Sequence, residues 1–160
     1  MNYGSSKIQK NWVPIVSNSE DLFFIYSFFP LTILKYDETS ENVKLHQVSK
    51  VNKLNKWRGG SPAISLKELG YDNYYLCVVH ESEFPKYKHK FILLEEINSN
   101  IFKIKNETEF FYFMDEIIEF CSGITISHDI KNFILSFGKM DKEAYLININ
   151  IKNIMNLITI

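Results

Sequence analysis

Apolar positions along this chain fall into short runs separated by polar or small-residue gaps, the signature of strands rather than long helices. Leu22 to Phe28 (LFFIYSF) is a continuous apolar run bounded by Asp21 and Pro30. Its length and aromatic content predict a buried strand. Thr32 to Asp37 alternates behind Pro30 as a hairpin return does, and Val43 to Val51 alternates again after the polar turn Glu38 to Asn42. Asn52 to Gly60 reads as a loop carrying Trp57 and Arg58. Strands are then predicted over Tyr74 to Glu81, Phe91 to Ile97, Asn132 to Gly138 and Ala144 to Asn150, and IFKIKN from Ile101 follows a turn in the same manner. Glu81 to His89 (ESEFPKYKH) reads as a polar loop. In MDEIIEF, from Met114, helix formers compete with the strand that CSGITIS argues for. The stretch after Asn150 fits either a terminal helix or a closing strand, and residues 1–10 are polar, loose or an edge strand.

These runs group into a block that occurs three times: a small-residue turn, an apolar strand, a gap, and a second strand. The copies are Trp12 to Asp37, Arg58 to Glu96 and Ile118 to Asn150. Copies of one supersecondary unit must stack to bury their apolar faces. Starts spaced by roughly 45–60 residues, with several strands each, match propeller blades better than solenoid rungs. The expectation is one all-β domain over residues 1–160, a partial β-propeller of about three antiparallel blades. No linker or low-complexity segment divides it.

Composition narrows this only a little. A hydrophobic share of 46% and a charged share of 23% read as globular and soluble. Aromatic residues make up 15%, which favours strands and could also supply sugar-stacking surfaces. The net charge of −1 gives nothing to steer the chain to nucleic acid or to an anionic membrane. No apolar run reaches the ~18 residues of a transmembrane helix, and MNYGSSKIQK has no apolar signal core, so the cytoplasm is the expected location. Cys77 and Cys121 sit in apolar strand contexts and read as buried free thiols. His46 and His128 have no partner at metal-ligand spacing, and no phosphate loop, serine elbow or Cys/His nucleophile signature occurs. Asn106-Glu107-Thr108 is a glycosylation sequon in form only.

Three blocks carry a resemblance. Lys10-Asn11-Trp12, then Gly59-Gly60-Ser61-Pro62 with a strand ending in His80, then Gly138-Lys139-Met140-Asp141, stand in one order across residues 9–155. In that order they resemble the C-terminal part of five-bladed propellers of the mannoside phosphorylase type, in the furanosidase-like glycoside hydrolase group. They also look like propeller domains found beside glycosyltransferases. The resemblance implies a mannoside-like glycan as ligand, inorganic phosphate as a possible co-substrate, and no other cofactor. It also implies that the blades carrying the family's catalytic acid, an Asp, lie outside this chain, which holds about three blades. A missing propeller half, self-association or a glycosyltransferase would then be the partner, since open blade edges demand a cover.

The residues themselves offer matching chemistry. By resemblance His80 contacts an anion or sugar, Asp141 holds sugar hydroxyls and Lys10 reaches phosphate. A carboxylate accepts two hydroxyl hydrogen bonds, and a lysine is a point charge on a flexible stem. Arg58 could grip an anion in bidentate fashion, with Gly59 and Gly60 permitting close backbone approach. Trp12 could stack on a sugar ring or fill a blade core. Glu81 is the weaker candidate for the acid that glycoside cleavage requires, and a rim ion pair with Lys86 or Lys88 is the other reading of it. Asp141 reads equally as a turn former, Lys10 as a solvated lysine and the Gly-Gly pair as a plain turn.

Overall fold

The computed structural model describes residues 10–50, 56–83, 86–98 and 100–158. They form three antiparallel sheets, one for each repeated block. The first contains β1 (Val13–Val16), β2 (Leu22–Phe28), β3 (Leu31–Asp37) and β4 (Asn42–Val48), paired in that order. The second contains the short strands β5 (Arg58–Gly59) and β6 (Ile64–Ser65), both paired with β7 (Tyr74–Glu83), then β8 (Lys86–Ile97) and β9 (Ile101–Glu107). The third contains β10 (Glu119–Ile126), β11 (Asn132–Lys139) and β12 (Glu143–Asn150). The molecule is an all-β, partial propeller-like fold in which these sheets stack as successive blades.

Alternation along β7 explains the stacking. Tyr75, Cys77 and Val79 face the first sheet and join Val13, Ile15, Phe23, Ile25 and Ile33 in one core. Leu76 and Val78 face the third sheet and join Phe91, Leu93, Cys121, Phe133 and Leu135 in another. The middle sheet is therefore buried on both faces, and β7 and β8 read as unbroken apolar runs for that reason. Each fully buried Leu, Ile or Phe adds about 1.5–3 kcal/mol. Ile15 and Ala63 form a parallel bridge, with the Ala63 N–H donating to the Pro14 carbonyl at 2.9 Å. β1 and the approach to β6 thus run side by side in one direction, as strands of neighbouring blades do around a propeller axis.

The Gly-Gly pair sits where the three sheets meet. A Cβ on Gly59 would lie 2.3 Å from the Asn11 carbonyl oxygen and 2.4 Å from Val13, and one on Gly60 would lie 2.9 Å from the carbonyl oxygens of both Val78 and Cys121. The requirement here is close approach, not an unusual backbone angle. At the outer rim the Gln47 amide imitates a strand. It donates to the Phe102 carbonyl at 2.6 Å and accepts from the Phe102 N–H at 2.9 Å, joining β4 to β9.

Several sequence expectations change. The polar stretch Glu81 to His89 is mostly strand: β7 continues to Glu83 and β8 begins at Lys86. Its lysines take partners, with the Lys88 ammonium 4.4 Å from the Phe110 ring centre and Lys86 paired to Asp115 at 2.7 Å. No helix forms in MDEIIEF; turns and bends lead into β10. The end of the chain resolves as helix α1 (Ile151–Leu157), capped by the Asn150 side chain accepting from the Lys152 N–H at 3.0 Å. Ile151, Ile154 and Ile158 bury its one apolar face. Expectations for residues 1–9 and for Val51 lie outside the described residues, and among the described residues no helix is long and apolar enough to cross a membrane.

Candidate functional site

Antiparallel pairing gathers the candidate residues at one end of the stacked sheets. The approach to β1, the start of β5, the end of β7, the start of β8, the start of β10 and the β11–β12 hairpin all lie there. Lys10, Trp12, Arg58, His80, Glu81 and Asp141 therefore share an end. They do not all share a site.

His80 and Arg58 are direct cross-strand partners on β7 and β5, which places them on one face. His80 is 2% exposed and lies between blades: its ring stacks on Tyr87 at 5.3 Å and meets Phe120 edge-on at 5.1 Å. His89 follows at 6.4 Å on β8, fully buried against Phe113 and Phe111. Burial pushes the His80 pKa down to about 4, and the neighbouring His89, Arg58 and Lys10 push it the same way against one hydrogen bond to the Gly59 backbone. His89 is also brought to about 4 by burial. Among the described residues, Nδ1 of His80 lacks a hydrogen-bond partner, and the His89 ring has one polar neighbour, the Glu119 backbone. Both rings are neutral at pH 7. His89 escaped the sequence reading because it ended a stretch that looked like solvated loop.

Beside His80 a recess of about 290 Å³ is lined by Lys56, Trp57, Arg58 and Ser82. Trp57 is fixed as its wall by an edge contact with Phe29 at 4.8 Å and by the Lys90 ammonium 4.9 Å from its ring centre. Among the described residues, Lys10, Lys56 and Arg58 have no carboxylate partner. The sequence reading named Trp57 only as a loop residue and did not single out Lys56 or Ser82, because nothing local marks them. In a larger hollow of about 490 Å³ along β2, β3 and β4 both lysines are already matched, as Asp21–Lys35 and Asp37–Lys44 pairs, so it offers an anion less.

The other candidates stand apart. Glu81 adjoins His80 in sequence and so projects from the opposite face of β7, 4.0 Å from Lys88, in the rim ion pair. Asp141 is exposed in the β11–β12 hairpin. It and Met140 adopt left-handed backbone angles, φ 54° and 53°, as a tight hairpin turn requires. Among the described residues, no hydrogen bond or ion pair links Asp141 to His80 or Arg58. Trp12 packs on Phe24 and Tyr26 at 5.8 and 5.7 Å, on the face of the first sheet turned away from the recess.

The arrangement can hold an anion against a guanidinium and ammonium groups, with an indole wall for a ring and a neutral imidazole nearby. Among the described residues no carboxylate lines the recess, so none of them there could protonate a glycosidic oxygen. Among the described residues no cluster of His, Cys, Asp or Glu could hold a metal ion. No family model matches the chain, and neither a curated protein nor a solved structure does.

Proposed function

We propose that this protein is a glycan-recognition module that binds a mannoside-like sugar carrying an anionic group, and that it works without cleaving its ligand. The observation that carries the reading is the recess at the blade junction, where Arg58 and Lys56 flank Trp57 with no carboxylate partner among the described residues and Lys10 lies within electrostatic range of the same corner. The order of the sequence blocks supplies the sugar class. Cleavage or transfer would need an acid from another chain, such as an associated glycosyltransferase or the complementary blades.

Calorimetric titration with mannose, mannobiose, N-acetylglucosamine, inorganic phosphate and mannose 1-phosphate tests this. Mannose 1-phosphate binds most tightly on this reading, because it engages both the cations and the indole. Arg58→Ala weakens it by roughly 10–100-fold, the worth of one charge-assisted bidentate contact. Arg58 is exposed, so the variant folds. Silence from all five compounds at about 10 mM with folded protein overturns the proposal, as does binding that Arg58→Ala leaves unchanged; at 100 times its Kd a true ligand stabilises by about 2.7 kcal/mol, a shift readable in parallel.

A further inference from the structure

The three sheets end in three edge strands, and they are not treated alike. β4 carries Lys44 and His46 and is turned onto the neighbouring blade: the His46 ring bonds the Asn100 carbonyl at 2.9 Å, and Gln47 takes the Phe102 backbone. β9 carries Lys103 and Lys105, both held by Glu95 at 2.8 and 3.4 Å. These are the usual protections of an edge: charge, and a cover. β12 has neither. From Ala144 to Asn150 (AYLININ) it holds no charged residue, no proline and no glycine, and among the described residues no strand pairs with its outer side. Leu146, near its middle, is 76% exposed.

We propose that the β12 edge is a homotypic interface, to which a second copy of this chain adds its own β12 antiparallel, making one six-stranded sheet. The self-pairing fits this strand and neither of the other two. A twofold axis normal to the sheet sets each strand against itself in reverse, so lysines on β4 or β9 would meet their own copies, whereas the central residues of β12 meet only apolar or amide side chains. The same axis keeps Tyr145, Ile147 and Ile149 of both copies on one face, where the blade cores already pack, and brings the two Leu146 side chains together on the other. Glu143, next to Lys139 at 3.9 Å, falls at the ends of the joined strands and away from its copy. The contact is smaller than the ~1,600 Å² of a standard interface, so dissociation in the micromolar range is expected.

Sedimentation of the full chain from about 5 to 500 µM is the test, alongside Asn148→Lys, Leu146→Lys and Leu146→Cys. The expected result is a concentration-dependent dimer, weakened at least 10-fold by either lysine variant, with Leu146→Cys oxidising to a covalent dimer; Cys77 and Cys121 are buried and give no background. If a lysine variant lowers the melting temperature instead, the cysteine variant decides, because its side chain is neutral and the site is exposed. A monomer throughout the range overturns the proposal. So does a dimer that survives both lysine variants and in which Leu146→Cys fails to cross-link.

Discussion

His80 and His89 turn an acidic medium into a stress on the junction between the second and third blades. Their folded pKa values, about 4, lie below the ~6.5 of an exposed imidazole. The unfolded chain therefore binds more protons than the folded one between those limits. The stability tied to their neutrality is complete above about pH 6.5 and is lost as pH falls toward 4. A gap of about 2.5 pH units corresponds to roughly 3 kcal/mol for each ring at most. Arg58 and Lys10 face His80 and oppose its protonation, while Tyr87, Phe120, Phe111 and Phe113 offer rings rather than counter-charges. Urea unfolding at pH 7.5, 6, 5 and 4 measures the loss. His89→Phe flattens the acid limb, because it removes a buried ring that must charge as the pH falls. An unchanged acid limb in His89→Phe would show that the carboxylates, not the imidazoles, govern acid unfolding.

At the scale of elements, the stretch from Phe113 to Glu116 between β9 and β10 takes three of its backbone bonds from one side chain. Glu119 is fully buried, and its carboxylate accepts the N–H groups of Phe113 and Met114 at 2.7 Å each and of Glu116 at 3.1 Å. Three backbone donors converge on this one buried acceptor. Glu119→Gln keeps the volume but turns an N–H₂ group toward N–H donors. It destabilises by about 2–3 kcal/mol and speeds amide exchange at Phe113, Met114 and Glu116 ahead of the strand cores. Exchange that accelerates everywhere alike would contradict this local role. The same segment marks where the sequence ceased to be readable. Strands such as Leu22–Phe28 and Asn132–Lys139 announce themselves by apolar runs, and the three blocks foretold the three sheets. MDEIIEF did not, because its propensity is helical and Glu119, a carboxylate buried at the end of the segment itself, overrides it. Nor did Glu81 to His89, whose lysines look solvated until Phe110 and Asp115 fold against them. Of the site, Arg58 and His80 were visible as residue types, but their pairing depends on the β5–β7 register. Trp57 becomes a wall only through Phe29 and Lys90, which lie in other strands.

For the whole molecule, the doubly buried middle sheet ties the blades into one thermodynamic unit. Leu76 and Ile92 are both fully buried in that sheet, yet they belong to different cores, Leu76 against the third blade and Ile92 against the first. If each blade were an independent repeat, truncating one residue would weaken only its own interface, and probes in different blades would part. Here the sheet that bears both residues is shared, and the Gly59-Gly60 crossing leaves no space for one blade to shift against the next. Leu76→Ala and Ile92→Ala should therefore each cost about 2–5 kcal/mol and lower the same transition. Tryptophan fluorescence, which reports Trp12 on the first blade and Trp57 at the junction, and far-ultraviolet circular dichroism, which reports all three, should keep a common midpoint in both variants. A midpoint in fluorescence that stays fixed while the dichroism midpoint falls in Leu76→Ala would mean that the third blade detaches alone. The recess would then have to keep its shape without the blade that buries His80, and its affinity for an anion should survive Leu76→Ala at temperatures where the third blade has melted. With the blades coupled, binding and strand content are lost together.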